Sequence, residues 1–202
     1  MFRLLFLSLL LFNLSLQAQL YRDLSGQTVQ TLQAQAAQWT LSDPSGTQHP
    51  ITISDCDMLW SASNFVLKPS TLPSGTTFKK TFDNLEDHTV LRFFVSIYYL
   101  GDYTSQTVTI KFDNISLETS EVLPPPSFEV ISPGMSMTPT WSLYDMFVCS
   151  FLPFAGRIDY YGAIEHTGSS VTVEFGSNLS DAGVEITWGL RDFSFVTDIA
   201  DI

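Results

Sequence analysis

A side-chain period of two constrains this chain more than any other feature. From Thr107 to Asp113, Val108, Ile110 and Phe112 alternate with Thr107, Thr109, Lys111 and Asp113. Successive side chains of an extended backbone point to opposite faces, so this segment reads as a strand with one dry and one wet face. Val171, Val173 and Phe175 repeat the pattern from Ser170 onward. The stretch from Val90 to Tyr99 is more apolar. Its odd positions, Leu91, Phe93, Val95, Ile97 and Tyr99, form one continuous apolar face. Its even positions mix Arg92 and Ser96 with Phe94 and Tyr98, which reads as a central strand whose second face is partly covered. Near the C-terminus the apolar positions change parity, from Ile186, Trp188 and Leu190 to Phe193 and Phe195. A period of two changes parity only through an extra residue, so a β-bulge is predicted between Gly189 and Asp192.

Turn chemistry separates these segments. It occurs at Ser42-Asp-Pro-Ser-Gly46, Pro73-Ser-Gly75, Asp83-Asn84, Gly101-Asp102 and His166-Thr-Gly168. No long helical pattern and no alternation of strands with helices appears, so the fold class is all-β, an antiparallel β-sandwich. The run Pro124-Pro-Pro126 and the later Ser132-Pro-Gly134 mark a stiff crossover within one sandwich. Each half alone has too few strands to bury a sheet. Residues 20–38 are rich in Gln, Ala and Thr and read as a polar lead-in with at most a short helix. Val29, Leu32, Ala36 and Trp39 would share its one apolar face. The single folded domain then spans residues 39–202.

Residues 1–19, MFRLLFLSLLLFNLSLQAQ, have the order of a secretory signal peptide. Arg3 precedes an apolar run from Leu4 to Phe12, and small and polar residues follow. A membrane span needs about 20 apolar residues, more than this run supplies. A retained anchor is the rival reading. The expected location is secreted, extracellular or at the cell surface, with no membrane span in the mature chain. Asn114-Ile-Ser116 and Asn178-Leu-Ser180 are glycosylation sequons. Cys56 and Cys149 are the only two cysteines, an even pair in a chain bound for an oxidising compartment. A disulfide between them would enclose a long loop and contribute roughly 4 kcal/mol. Two buried free thiols are the alternative. The chain carries 21 acidic against 9 basic residues, a net charge of -12, and loss of the leader makes it one unit more negative. Nucleic acid is therefore excluded as an expected partner, because phosphate binding needs a dense basic surface.

Several segments resemble a recurrent module of secreted and surface proteins abundant in ciliated protists. They are Thr77-Phe-Lys-Lys-Thr-Phe-Asp-Asn-Leu85, His88-Thr-Val-Leu-Arg92, the stretch from His166 to Leu179, and Trp188-Gly-Leu-Arg-Asp-Phe193. The last is the most specific. The resemblance covers roughly residues 76–114 and 160–196 in the right order. It implies an extracellular jelly-roll similar to galactose-binding-like sandwiches. In it His88, Arg92, His166, Trp188, Arg191 and Asp192 are motif residues with structural roles. One departure concerns the acidic, Trp-containing turn that follows the aromatic strand in the family. Here that position is Leu100-Gly-Asp-Tyr-Thr-Ser-Gln106, with Asp102 as its one acid.

Catalytic motifs are absent from the sequence: there is no Gly-x-Ser-x-Gly elbow, no His-Glu-x-x-His and no P-loop. The chain reads as non-enzymatic. His88 and His166 each precede Thr in a turn before a strand, where a metal ligand or general base competes with a capping role satisfied by backbone. Asp55 and Asp57 flank Cys56, and Asp181 and Glu185 lie in the loop before Trp188. Carboxylates in flexible loops are the ligands Ca²⁺ prefers, so Asp181 and Glu185 are the candidate calcium site. Trp60, Tyr98, Tyr99, Tyr103 and Trp141 offer flat faces for a sugar. Trp60 and Tyr103, with Asp102, are the candidate ligand contacts because they sit in turn-rich regions. Arg191 and Asp192, adjacent on a strand, are expected to face opposite ways unless a bulge intervenes. The expected function is a secreted, non-catalytic module that binds an extracellular glycan or surface protein, by carbohydrate recognition or adhesion. The alternative is a structural subunit of an extracellular coat or ciliary appendage, and a secreted hydrolase ranks third.

Overall fold

In a computed structural model, the chain is described over residues 19–26, 28–54, 57–58, 61–62, 65–68, 71–100, 107–120, 127–129, 136–144, 155–178 and 187–198. Its strands are β1 Leu20–Asp23, β2 Thr40–Ser42, β3 Gln48–His49, β4 Thr52–Ser54, β5 Asp57–Met58, β6 Ser61–Ala62, β7 Phe65–Leu67 and β8 Thr77–Asp83. They continue as β9 Val90–Leu100, β10 Val108–Phe112, β11 Ile115–Ser120, β12 Ser127–Glu129, β13 Ser136–Tyr144, β14 Ala155–Glu165, β15 Ser170–Ser177 and β16 Thr187–Asp198. One helix, α1, spans Val29–Ala36. The first sheet runs β13-β14-β9-β16-β7-β4, with β1 also on β16; the second runs β12-β11-β10-β15-β8-β2-β3. Every pairing within them is antiparallel, and β5 with β6 forms a small separate ribbon. This is the all-β sandwich that the alternation predicts.

The dry faces of the alternating strands meet in one core. Leu91, Phe93, Val95 and Ile97 of β9 are buried with Val108, Ile110 and Phe112 of β10 and Val171, Val173 and Phe175 of β15. Each such large side chain contributes about 1.5–3 kcal/mol when removed from water. Trp188 is fully buried and meets Phe78 of the opposite sheet edge-on at 5.4 Å. Among the described residues its indole N–H has no hydrogen-bond partner.

The bulge is present. The register of β16 on β9 shifts between Arg191 and Ser194, and Asp192 takes a φ of 55°. Before the shift β16 pairs with β7 through Gly189 and Leu190; after it, β16 pairs with β1 through residues 193–196. The Asp192 amide donates to the Leu24 carbonyl at 2.8 Å. The extra residue therefore lets one strand serve two partners in succession.

Residues 20–38 differ from a lead-in outside the domain. Strand β1 is a paired member of the first sheet, and Tyr21 stacks on Phe195 at 4.5 Å. Helix α1 is capped by Thr28, whose hydroxyl accepts from the Thr31 amide at 3.2 Å. Leu24, Leu32 and Ala36 join Trp39 in the core. An ion pair links Asp23 to Lys80, which also donates to Gln38 Oε1 at 2.7 Å. The polar composition hides few but well-spaced apolar positions, and these suffice once a sandwich edge is present to receive them.

Candidate binding face

The outer face of the first sheet carries a bonded cluster of charged, hydroxyl and aromatic side chains. Odd positions of β9 face the core, so its even positions face out, and register brings neighbours beside them. Arg92 lies between Ala163 and Val196, and Phe94 between Tyr161 and Ser194. Ser96 lies between Asp159 and Arg191, and Tyr98 between Arg157 and Gly189. Beyond β16, Arg22 of β1 stands across from Ser194 and is exposed. These four rows of side chains cross the middle of the face.

The central row is tightly bonded. Asp159 Oδ1 accepts from Ser96 Oγ and from Arg157 Nε, both at 2.7 Å. Arg157 also lies over the Tyr98 ring, 5.8 Å from its centre. Ser96 and Tyr98 are buried although they point outward, because these long side chains cover them. The bulge turns Asp192 to the same side as Arg191, so the two form an ion pair at 3.5 Å rather than facing apart. Burial pushes the Asp192 carboxyl above its ordinary range; Arg191 and then Arg157 oppose this, and Asp159 adds to it. At the far end, Arg92 Nε donates to Asp198 Oδ2 at 2.7 Å. Above the central row the Tyr161 and Phe94 rings lie 4.7 Å apart at 39°, and Tyr161 is 49% exposed.

A second constellation ties one end of the sandwich. Val90 pairs with Glu165, which places His88 and His166, just beyond them, side by side. The His166 amide donates to the Thr89 carbonyl at 3.1 Å. His88 Nδ1 meets the Glu86 carbonyl at 2.6 Å, His88 Nε2 meets His166 Nδ1 at 2.7 Å, and His166 Nε2 meets Asp113 Oδ2 at 3.2 Å. Carbonyls only accept, so His88 Nδ1 carries the proton. His88 Nε2 in its neutral form then accepts from His166 Nδ1. His166 Nε2 in turn faces the Asp113 carboxylate, which only accepts. Asp113 sits in the β10–β11 turn at a φ of 52°, and its Oδ1 accepts from the Thr172 amide at 2.8 Å. The adjoining turn is close-packed at Gly168, where a Cβ would stand 3.1 Å from the Ser170 carbonyl oxygen and 3.2 Å from the His166 ring. The chain runs from a carbonyl to a carboxylate with no hydroxyl or thiol in it, and it joins the two sheets. His88 is satisfied by backbone on one side, as a turn residue would be, but also by a second histidine.

Other expected sites fall differently. Trp60, Asp102, Tyr103, Asp181, Glu185, Cys56 and Cys149 lie outside the described residues. Among the described residues no group of three or more His, Cys, Asp or Glu is arranged to hold a metal ion. Tyr98 is covered and offers no flat face. Asn114 is exposed in the β10–β11 turn, beside an open depression of about 470 Å³ lined by Lys79, Asp113, Thr172 and Glu174. Asn178 is exposed too, but its side-chain oxygen accepts from the Thr107 amide at 2.8 Å. Sequence reading passed over Tyr161, Arg157 and Asp159. The signal was present, since Arg157, Asp159 and Tyr161 hold the wet positions of one strand. Their cross-strand neighbours come from segments about 60 and about 20 residues away.

No model of a known protein family matches the chain, and no curated protein shows significant similarity to it. Among the described residues, no helix is long and apolar enough to cross a membrane.

Proposed function

We propose that the protein is a secreted, non-catalytic, carbohydrate-binding module of jelly-roll type, and that it binds through the outer face of the first sheet. One observation carries this reading: the half-exposed Tyr161 ring, seated on Phe94, beside a row of fixed donors and acceptors. A sugar presents an apolar C–H face and a rim of hydroxyls. An aromatic ring takes the first, and preoriented Arg, Asp and Ser groups take the second. Asp159 and Arg157 are held by each other and by Ser96, so little side-chain freedom remains to be lost on binding. The apolar leader and the exposed Asn114 sequon support export. The motif resemblance supports the jelly-roll form.

A glycan array, run with and without calcium, tests the reading. The secreted chain is expected to bind a subset of glycans, and Tyr161→Ala to weaken that binding about three- to tenfold, the worth of one aromatic contact. Silence across the array, with the protein recovered in an insoluble surface fraction, would instead assign it to a structural coat.

A further inference from the structure

Building on that reading, we infer that the bound saccharide is anionic, carrying carboxylate or sulfate groups, and that arginines on the outer face of the first sheet recognise those groups. The inference rests on where the cations are. After Arg3, the chain has four arginines: Arg22, Arg92, Arg157 and Arg191. All four occupy outward positions on this one face. None of the four lysines does. Lys79 and Lys111 stand on the outer face of the second sheet, Lys80 pairs with Asp23, and Lys68 is buried with its ammonium on the Leu72 carbonyl.

Segregation of arginine from lysine is chemically meaningful. A guanidinium offers five donors in a planar fork that matches carboxylate and sulfate oxygens, and it stacks on aromatic rings; an ammonium does neither. Arg92 spends its Nε on Asp198, which leaves the terminal nitrogens of the fork for an incoming oxyanion. Arg22 is exposed and has no ion pair among the described residues. It shares the row of Ser194, Phe94 and Tyr161, about three strand spacings, ~14 Å, from Tyr161. A ligand that reaches from the aromatic platform to Arg22 is an oligosaccharide rather than a single sugar. Among the described residues of this face the arginines match the acids Asp159, Glu165, Asp192 and Asp198 in number, whereas the whole chain has more than twice as many acids as bases. An anionic polymer is thus repelled from the rest of the molecule and admitted here, which sets its orientation.

Retention of the full secreted chain on three immobilised polymers tests this: a polyuronate, dextran sulfate and neutral dextran. Retention on one or both anionic polymers is expected, and which one distinguishes carboxylate from sulfate. Near 0.5 M salt, where screening shortens to a few ångströms, retention should weaken severalfold. The double variant Arg22→Gln/Arg92→Gln should lose at least tenfold in affinity while melting with the parent. Lys79→Gln/Lys111→Gln on the other face should bind as the parent does. Equal losses in both double variants would show unspecific ion exchange and overturn the inference. Binding to neutral glycans alone, insensitive to salt, would also overturn it and leave the carbohydrate reading standing. Binding to no saccharide of either kind would remove both.

Discussion

The two outer faces of the sandwich are built on the same alternation and carry different chemistry. On the second sheet the wet positions form a row of Lys79, Glu174, Lys111 and Ser116, with the Lys111–Glu174 pair at 3.1 Å and a Thr81–Thr172 hydroxyl bond at 2.9 Å. These side chains stand in or near water. On the first sheet the equivalent positions hold Phe94, Ser96 and Tyr98, and charged residues from the flanking strands close over the last two. A wet face is therefore not one kind of surface. Where small or aromatic residues occupy the middle strand, long charged neighbours fold inward, and the resulting bonds lie in a medium that strengthens them.

The sharpest way to break this contrast is to remove one acceptor from each face. Asp159→Ala strands the buried Ser96 hydroxyl and takes one carboxylate from Arg157, and should cost about 2–3 kcal/mol in urea denaturation. Glu174→Ala removes a partly exposed partner of Lys111 and should cost less than about 1 kcal/mol. Equal losses would mean that the first face is as open as the second.

The histidine tie joins the two halves of the comparison. His166→Ala takes away the partner of both His88 and Asp113 and should cost between about 1 and 2 kcal/mol. Amide exchange should then quicken at Thr172 on the second sheet as well as at position 166 beside the first. Quickening on one sheet alone would show that the chain of bonds does not couple them.

The smallest expected effects are pH-dependent and opposite in sign. In the turn between β2 and β3, hydrogen bonds from Ser45 and then His49 pull Asp43 down to about 2. The folded state releases that proton more readily than the unfolded chain, so the stabilisation is present above the ordinary carboxylate range and lost as pH falls toward 2. Asp43→Asn should flatten the acid limb of a melting-temperature profile. Asp192, raised chiefly by burial, behaves the other way. The folded state keeps its proton longer, so stability falls as pH rises from the ordinary carboxylate value through the raised one. Asp192→Asn keeps a residue that tolerates a φ of 55° and should melt slightly above the parent at pH 7 and with it at pH 3.

Much of the scaffold was legible in one dimension. The strands of Val108, Val171 and Leu91 announce themselves by period, and the parity change between Leu190 and Phe193 announces the bulge. These are local properties, because alternation is set by the geometry of a single extended backbone. The candidate face was not legible. Arg22, Ser194, Phe94 and Tyr161 come from four distant segments, and no local pattern says that they share a row. The same holds for His88, His166 and Asp113, and for residues 20–38, whose few apolar side chains gain meaning only against the sandwich edge. The sequence by itself determined which residues lie on a dry or a wet side of each strand, and where one strand must bulge. Only the tertiary structure decided which strands are neighbours and in what register, since those depend on pairings between segments far apart along the chain.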